Sequence, residues 1–129
     1  MAPYLLDTCT FLWILEDVPS LSARARDLFQ DPANEIYLSA VSAWEISLKC
    51  ALGRLSFKEA PERFIPQRRE KYGIAFLPLE EAAALSLHRL PNYHKDPFDR
   101  MLICQAITHG MVLLSPDPEI QRYPVKTDW

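Results

Sequence analysis

Along this chain, short apolar runs alternate with longer segments in which apolar residues return every three or four positions. Tyr4-Leu5-Leu6 is a run of the first kind, suited to a strand buried on both faces. Thr8 to Glu16 then carries helical spacing and stops before the turn-forming cluster Asp17-Val18-Pro19-Ser20. Ser22 to Phe29 reads as a second helix closed by Asp31-Pro32, and Glu35 to Ser39 alternates as a strand does. Ala40 to Gly53 is a third helix, with Gly53 placed where a left-handed residue ends it. Lys58 to Gly73 is a charged helical region interrupted by prolines, Ile74 to Leu79 predicts a strand, and Glu80 to Leu90 a helix. Asp96 to Gly110 carries the clearest helix signature, with Pro97 at its first position and Gly110 at its end. Met111 to Ser115 is a further buried strand, Pro116 to Tyr123 a short helical turn, and Pro124 to Thr127 a last extended segment.

Strands alternating with helices predict an α/β fold, a three-layer α/β/α sandwich around a central parallel sheet of four to five strands. In such sheets ligands bind outside the carboxyl ends of the strands, near the point where strand order reverses. No repeat, low-complexity tract or linker divides the chain. Its 129 residues, 49% of them hydrophobic, suit a single domain over 1–129 that buries a core without disulfides. Cys9, Cys50 and Cys104 are odd in number, lack C-x-x-C spacing and lie in apolar or helical neighbourhoods, so they read as buried free thiols of a reducing compartment. No basic flank precedes a long apolar run at the N-terminus, and no apolar stretch approaches the ~20 residues of a membrane span. A cytoplasmic protein with no membrane partner is the expectation.

Against that apolar background the acidic residues stand out. Asp7 closes the first strand and is followed within one helical turn by Phe11, Leu12 and Trp13, so it is set in a core environment. At 100° per residue, Val41, Trp44, Leu48, Ala51 and Leu52 form the apolar face of the third helix, and Glu45 falls at its edge. Ser42-x-x-Glu45 matches a capping box, although Ser39 is an equally good cap and would move Glu45 to the second turn. Asp99 shares a helix face with Leu102, Ile103 and Ala106 and is expected to be buried, hence paired, protonated or metal-bound. Asp96 before Pro97 and Asp117 before Pro118 each fit a helix N-cap when taken singly. Asp31-Pro32 has the same dipeptide and reads as a turn residue only.

Taken together, the acids converge. Asp7 and Asp117 end apolar strands, while Glu45 and Asp99 occupy early turns of helices that belong to the same rim. Carboxylates gathered there repel one another unless cations are present, and hard oxygen donors suit Mg²⁺ or Mn²⁺. Such a site can activate water and steady both oxygens of an in-line phosphoryl displacement. The net charge of −3, from 14 basic and 17 acidic residues, speaks against passive binding of nucleic acid to a basic surface. Acids withdrawn into a metal site leave the remaining surface neutral or slightly basic. His88, His94 and His109 lack ligand spacing for zinc, Cys9 is a poor donor for a hard cation, and Gly53, Gly73 and Gly110 cannot build a phosphate loop.

The ordered segments "LLDT", "SAWEISLK", "DPFDRMLICQA" and "LLSPDPEIQRY" resemble the PIN-domain ribonucleases, and most closely the VapC-type toxins of bacterial toxin–antitoxin pairs. The resemblance runs from Tyr4 to Val125. By position it implies that Asp7, Glu45, Asp99 and Asp117 are the family's acidic quartet, with Asp96 an additional acid. It also implies that Thr8 is the hydroxyl residue following the first acid and that Ser115 stands in place of a more usual threonine. Pro116 between Ser115 and Asp117 departs from the pattern. The implied activity is endonucleolytic cleavage of RNA by an activated water, dependent on Mg²⁺ or Mn²⁺, leaving a 5′-phosphate and a 3′-hydroxyl. The implied partners are an RNA substrate, a VapB-like antitoxin, a second copy in a homodimer, and DNA only through the antitoxin.

Lys49, Arg54, His94, Lys95 and Arg100 lie near these acids and are candidates for holding the RNA backbone, although each also suits a solvated charge or an ion pair such as Glu45–Lys49. Tyr93 and Trp13 are candidates for stacking on bases. Leu28 and Phe29, with Phe64 and Ile65, are candidate walls of an antitoxin groove. Two other classes remain open. A haloacid-dehalogenase-like phosphatase would use an Asp nucleophile in "LLDTCT", but Cys9 takes the place of its second Asp. A catalytically silent PIN-fold binding module would keep the fold without the reaction.

Overall fold

The computed structural model of the chain describes residues 3–129. Five strands form one sheet: β1 (Pro3–Leu6), β2 (Glu35–Ser39), β3 (Ala75–Leu77), β4 (Val112–Leu114) and β5 (Thr127–Asp128). Their order is β3-β2-β1-β4-β5 and every neighbouring pair is parallel. The helices are α1 (Thr8–Glu16), α2 (Ala23–Gln30), α3 (Ala40–Ala51), α4 (Pro61–Lys71), α5 (Glu81–Leu85), α6 (Pro97–His109) and α7 (Pro118–Gln121). A 3₁₀ turn at Ser86–Arg89 continues α5. Among the described residues no helix is long and apolar enough to cross a membrane.

Successive side chains of a strand point to opposite faces, and in β1 both faces are buried. Tyr4 and Leu6 join Ile36, Leu38 and Leu114 beneath Phe11 of α1, Ala25 of α2, Ile46 of α3 and Ile65 of α4. Leu5 and Leu113 face the other way, into Leu102, Ile103 and Ala106 of α6, Ile120 of α7 and Tyr123. The three expected layers follow directly from this alternation. Leu5, Leu6, Leu113 and Leu114 are completely buried, and each such side chain contributes about 1.5–3 kcal/mol by leaving water.

Caps set the helix boundaries of α2, α3 and α6, with Ser22, Ser39 and Asp96 at their starts, and Asp96 takes the capping role that Asp before Pro97 suggests. Gly110 ends α6 at φ 65, a backbone state that glycine reaches without strain. Four expectations are corrected. The region around Pro61 and Pro66 is one continuous helix, because Pro66 forfeits only the bond to the exposed Glu62 carbonyl. The last strand is not Pro124 to Thr127 but Thr127–Asp128. It is fastened by Leu113 N to Lys126 O at 2.8 Å, Ser115 N to Asp128 O at 3.1 Å, and a forked Arg24–Asp128 pair at 2.6 and 2.8 Å. The cysteines are free, but only Cys104 is buried, and Cys9 is exposed.

The fourth correction concerns α3. Its buried residues are Val41, Ser42, Glu45 and Ile46, whereas Trp44, Leu48 and Leu52 are 58%, 41% and 57% exposed. The helix turns a mixed face inward, where Ser42 accepts the Thr8 hydroxyl while Glu45 pairs with Lys49 of its own helix, and it leaves its more apolar stripe outside.

One buried polar residue had no sequence signal. Gln105 lies in an almost wholly apolar stretch of α6 and is fully buried, accepting a hydrogen bond from Ser39 Oγ and donating Nε2 to Pro78 O at 3.1 Å. It ties α6 to the carboxyl ends of β2 and β3. Gln105→Leu preserves much of the volume and strands both partners, so a loss of about 1–3 kcal/mol is expected in urea unfolding. Unchanged stability would show that neither bond matters to the fold.

Candidate active site

The chain leaves β1 at the centre of the sheet, winds outward through β2 and β3, then returns to the opposite side with β4. The strand order therefore reverses between β1 and β4, which opens a crevice at their carboxyl ends. Asp7 is the first residue beyond β1 and the N-cap of α1, its Oδ1 accepting Thr10 N–H at 2.7 Å. Thr10 in turn donates its hydroxyl to Leu114 O at 3.0 Å, locking α1 to the end of β4. On the facing side, Asp117 caps α7, taking Glu119 N–H at 2.9 Å on Oδ1, while its own N–H bonds Ser115 Oγ at 3.1 Å. Ser115 is fully buried, and its hydroxyl also supports Asp7.

Glu45 approaches from α3. With Ser39 as the cap, it lies in the second turn, and the Ser42 capping box does not form. Ser42 Oγ instead accepts the Thr8 hydroxyl at 3.0 Å, a buried bond that joins α1 to α3, and the Asp7 and Glu45 charges at these two helices both reach Cys9. Glu45 is 6% exposed. Its Oε2 meets Lys49 Nζ at 2.6 Å, and its Oε1 is buried with no hydrogen-bond partner. Asp99 enters in the first turn of α6, partly buried rather than enclosed, with its Oδ2 3.3 Å from His94 Nε2. Asp96 caps that helix, its Oδ1 accepting Phe98 N–H at 2.9 Å and Asp99 N–H at 3.1 Å.

These acids feel one another. Burial holds the Asp7 carboxyl above the usual carboxylate range, opposed by hydrogen bonds from Ser115 and Thr10 and reinforced by the Asp117 charge. Burial and then the Asp96 charge push Asp99 up to about 6, with Asp117 and Asp7 adding to them against the His94 hydrogen bond. Even the partly covered thiol of Cys9 is raised, first by burial and then by Asp7, with Glu45 and Asp99 contributing. A negative field with an orphaned buried carboxylate oxygen is what a hard divalent cation would relieve. The donor set therefore fits Mg²⁺ or Mn²⁺. As the side chains stand, each acid is turned to its own partner, and among the described residues no three His, Cys, Asp or Glu groups are gathered to hold one ion.

The basic candidates separate into two kinds. Lys49 is engaged with Glu45, and His94 and Arg100 turn inward on Tyr123, whereas Arg54 and Lys95 are exposed. Trp13 packs edge-on against Trp129, while Tyr93 remains 45% exposed. Leu28 and Phe64 pack against the core, while Phe29, with Arg26 and Gln30 of α2, lines a small pocket; Ile65 lines a separate, open cleft between α4 and Ala43, Trp44 and Ser47 of α3. Thr10 is a site-building residue that the sequence did not single out, and Ser42 is one that it marks only as a helix cap. Their one signal is a small hydroxyl side chain on an otherwise apolar helix face.

Comparison with known proteins agrees with the fold. The PIN domain family profile matches residues 4–126. Ribonuclease VapC16 of Mycobacterium tuberculosis is 38% identical over 68 residues, a match that spans 50% of this chain and 48% of that protein. Among solved structures, VapBC2 from Rickettsia felis, bound to a DNA fragment from their promoter, superimposes with a TM-score of 0.73 at 13% identity, covering 98% of this chain and 97% of that one. VapBC-1 from nontypeable Haemophilus influenzae gives 0.65 at 16% identity over 98% and 96%.

The raised acids set a pH dependence. A carboxyl whose folded value lies above its unfolded value of about 4 penalises folding increasingly as pH rises between the two. For Asp99 that window runs from about 4 to about 6, with the penalty complete above it. Metal-free protein is expected to melt at a higher temperature at pH 5 than at pH 7, and Asp99→Asn should flatten that difference. An identical slope in the variant would place the titration elsewhere.

Proposed function

The chain belongs to the PIN domain family, and on that premise we propose that it is a single-domain endoribonuclease toxin, dependent on a divalent metal and neutralised by a VapB-like antitoxin. The observation that carries the reading is the convergence of Asp7, Glu45, Asp99 and Asp117 on one sheet rim, with Glu45 Oε1 buried and unpaired. These four residues would hold Mg²⁺ or Mn²⁺, and Asp96 adds charge at the start of α6. When bound, such a cation supplies the positive charge that draws in a phosphodiester and makes water a stronger nucleophile at neutral pH.

The protein's own contribution is positional. Thr10 and Ser115 hold Asp7, the Thr8–Ser42 bond sets the spacing of α1 and α3, and Lys49 fixes one oxygen of Glu45. No side chain is needed as nucleophile, since water attacks phosphorus and the bond to the 3′ oxygen breaks, leaving a 5′-phosphate and a 3′-hydroxyl. Arg54 and Lys95 are available to RNA phosphates. Lys49, His94 and Arg100 serve that role less directly because protein atoms already occupy them.

The antitoxin is the proposed occupant of the cleft between α3 and α4, where Trp44, Ile65 and Pro66 lie among Glu62 and Arg69. Likeness in fold to the VapBC proteins supports this partner, and the proposal extends to a homodimer that meets DNA only through the antitoxin. No observation favours phosphatase chemistry, because Cys9 stands where its second acid is required.

The test is cleavage of a broad RNA pool by antitoxin-free protein with Mg²⁺ or Mn²⁺ and with EDTA. Cutting that EDTA abolishes is expected, with Asp7→Asn and Asp99→Asn inactive but folded, and Asp31→Asn fully active. Asp31 only caps α2 and accepts Ala33 N–H at 2.9 Å. Metal-independent cutting would overturn the mechanism, and a folded protein silent toward all RNA would point to a binding module.

A further inference from the structure

Tyr123 is 4% exposed, lies beyond the helix that Asp117 caps, and has no role in the chemistry derived above. Its phenolic oxygen nevertheless makes three polar contacts. It lies 3.0 Å from the His94 backbone nitrogen, 3.2 Å from Arg100 Nη1, and 2.8 Å from His94 Nδ1. The other ring nitrogen of His94 is the one that meets Asp99 Oδ2. Arg100 is anchored independently, donating the same Nη1 to Pro91 O at 2.8 Å.

Counting donors and acceptors determines which way these bonds run. A phenol oxygen has two lone pairs and one proton. The backbone N–H and the guanidinium can only donate, so together they fill both lone pairs. The remaining contact needs the phenol as donor, which makes His94 Nδ1 the acceptor and leaves no place there for a ring proton. The proton of the neutral imidazole is therefore on Nε2, aimed at Asp99.

We propose that Tyr123 and His94 form a positioning relay for Asp99, in which the phenol selects the Nε2–H tautomer and that N–H holds one carboxylate oxygen. The inference rests on the reading of Asp99 as a site acid. It gives the segment after β4 two roles at the crevice: Asp117 at its start is itself a site acid, and Tyr123 six residues later orients another. Among the described residues Asp99 Oδ1 makes no hydrogen bond, so the relay engages one oxygen and leaves the second available. A hydrogen-bonded partner that fixes the orientation of a ligand is a general requirement of tight metal sites.

The test pairs a spectroscopic readout with a binding one. Long-range ¹H–¹⁵N spectra of the histidine rings at about pH 8, where an unperturbed imidazole is neutral, should show His94 as the Nε2–H form. Tyr123→Phe, which keeps the ring in the core, should let the Nδ1–H form appear. It should also raise the Mg²⁺ concentration needed for half of the metal-induced rise in Tm by roughly tenfold. Tyr93→Phe, on the exposed ring that packs edge-on against Tyr123 at 5.1 Å, should change neither. A purely structural role for Tyr123 would lower the metal-free Tm and leave the tautomer and the Mg²⁺ midpoint in place, which would overturn the proposal. An Nδ1–H ring in the wild type would overturn it without any variant, so it stays exposed even if Tyr123→Phe fails to fold. An Nε2–H wild type with no response to Mg²⁺ would support the hydrogen-bond relay and sink the metal reading of the site.

Discussion

Strand β1 is hydrogen-bonded on both edges, to β2 and to β4, and buried on both faces by Tyr4, Leu5 and Leu6. A strand so enclosed has no freedom to slip, because a one-residue shift would exchange Leu5 and Leu6 between two different cores. The residue that follows it is thereby held at one height above the sheet. Asp7 is that residue, and the bonds from Thr10 to Leu114 O and from Asp7 N to Leu114 O, at 3.0 and 3.4 Å, tie it to the end of the neighbouring strand. The position of every other acid at the crevice is defined relative to this anchored point.

The acids at the crevice also build the scaffold. Asp7, Asp96 and Asp117 each cap a helix through one oxygen, which orients the carboxylate by backbone N–H groups rather than by flexible side chains. Bonds of that kind favour the charged carboxylate, whereas burial and mutual repulsion oppose it, and at Asp7 and Asp99 the opposition wins. The crevice is thus a destabilised element, held by the cores on either side of the sheet. The charge on the carboxylates is the quantity through which the crevice costs stability.

Surface properties follow from how α3 sits. By turning Ser42 and Glu45 inward it commits Trp44, Leu48 and Leu52 to the outside, with Trp44 lining the cleft walled by α4. An exposed apolar stripe is costly for an isolated molecule and is suited to a partner. Glu45 and the exposed apolar stripe are thus neighbouring faces of one helix, so a substitution on either is felt by the other.

Hydrophobic alternation and capping chemistry were sufficient to read the succession of strands and helices and the parallel three-layer fold, and to put Asp7 and Asp117 at strand ends and Glu45 and Asp99 in early helix turns. Those signals are local: a period of two or of 3.6 residues, a Pro after an Asp, a Gly at a helix end. What the sequence left open was decided by contacts between segments distant in the chain. Whether Ser39 or Ser42 caps α3 depended on Thr8, which lies 34 residues before Ser42. Whether His94 and Arg100 face RNA or the protein depended on Tyr123, 29 and 23 residues away. The inward face of α3 could not be read from apolarity alone, because a buried hydroxyl or carboxylate that finds a partner competes with an apolar side chain for the same interior position. Periodicity records which residues prefer the interior, and only the tertiary structure shows which polar residues have partners waiting there.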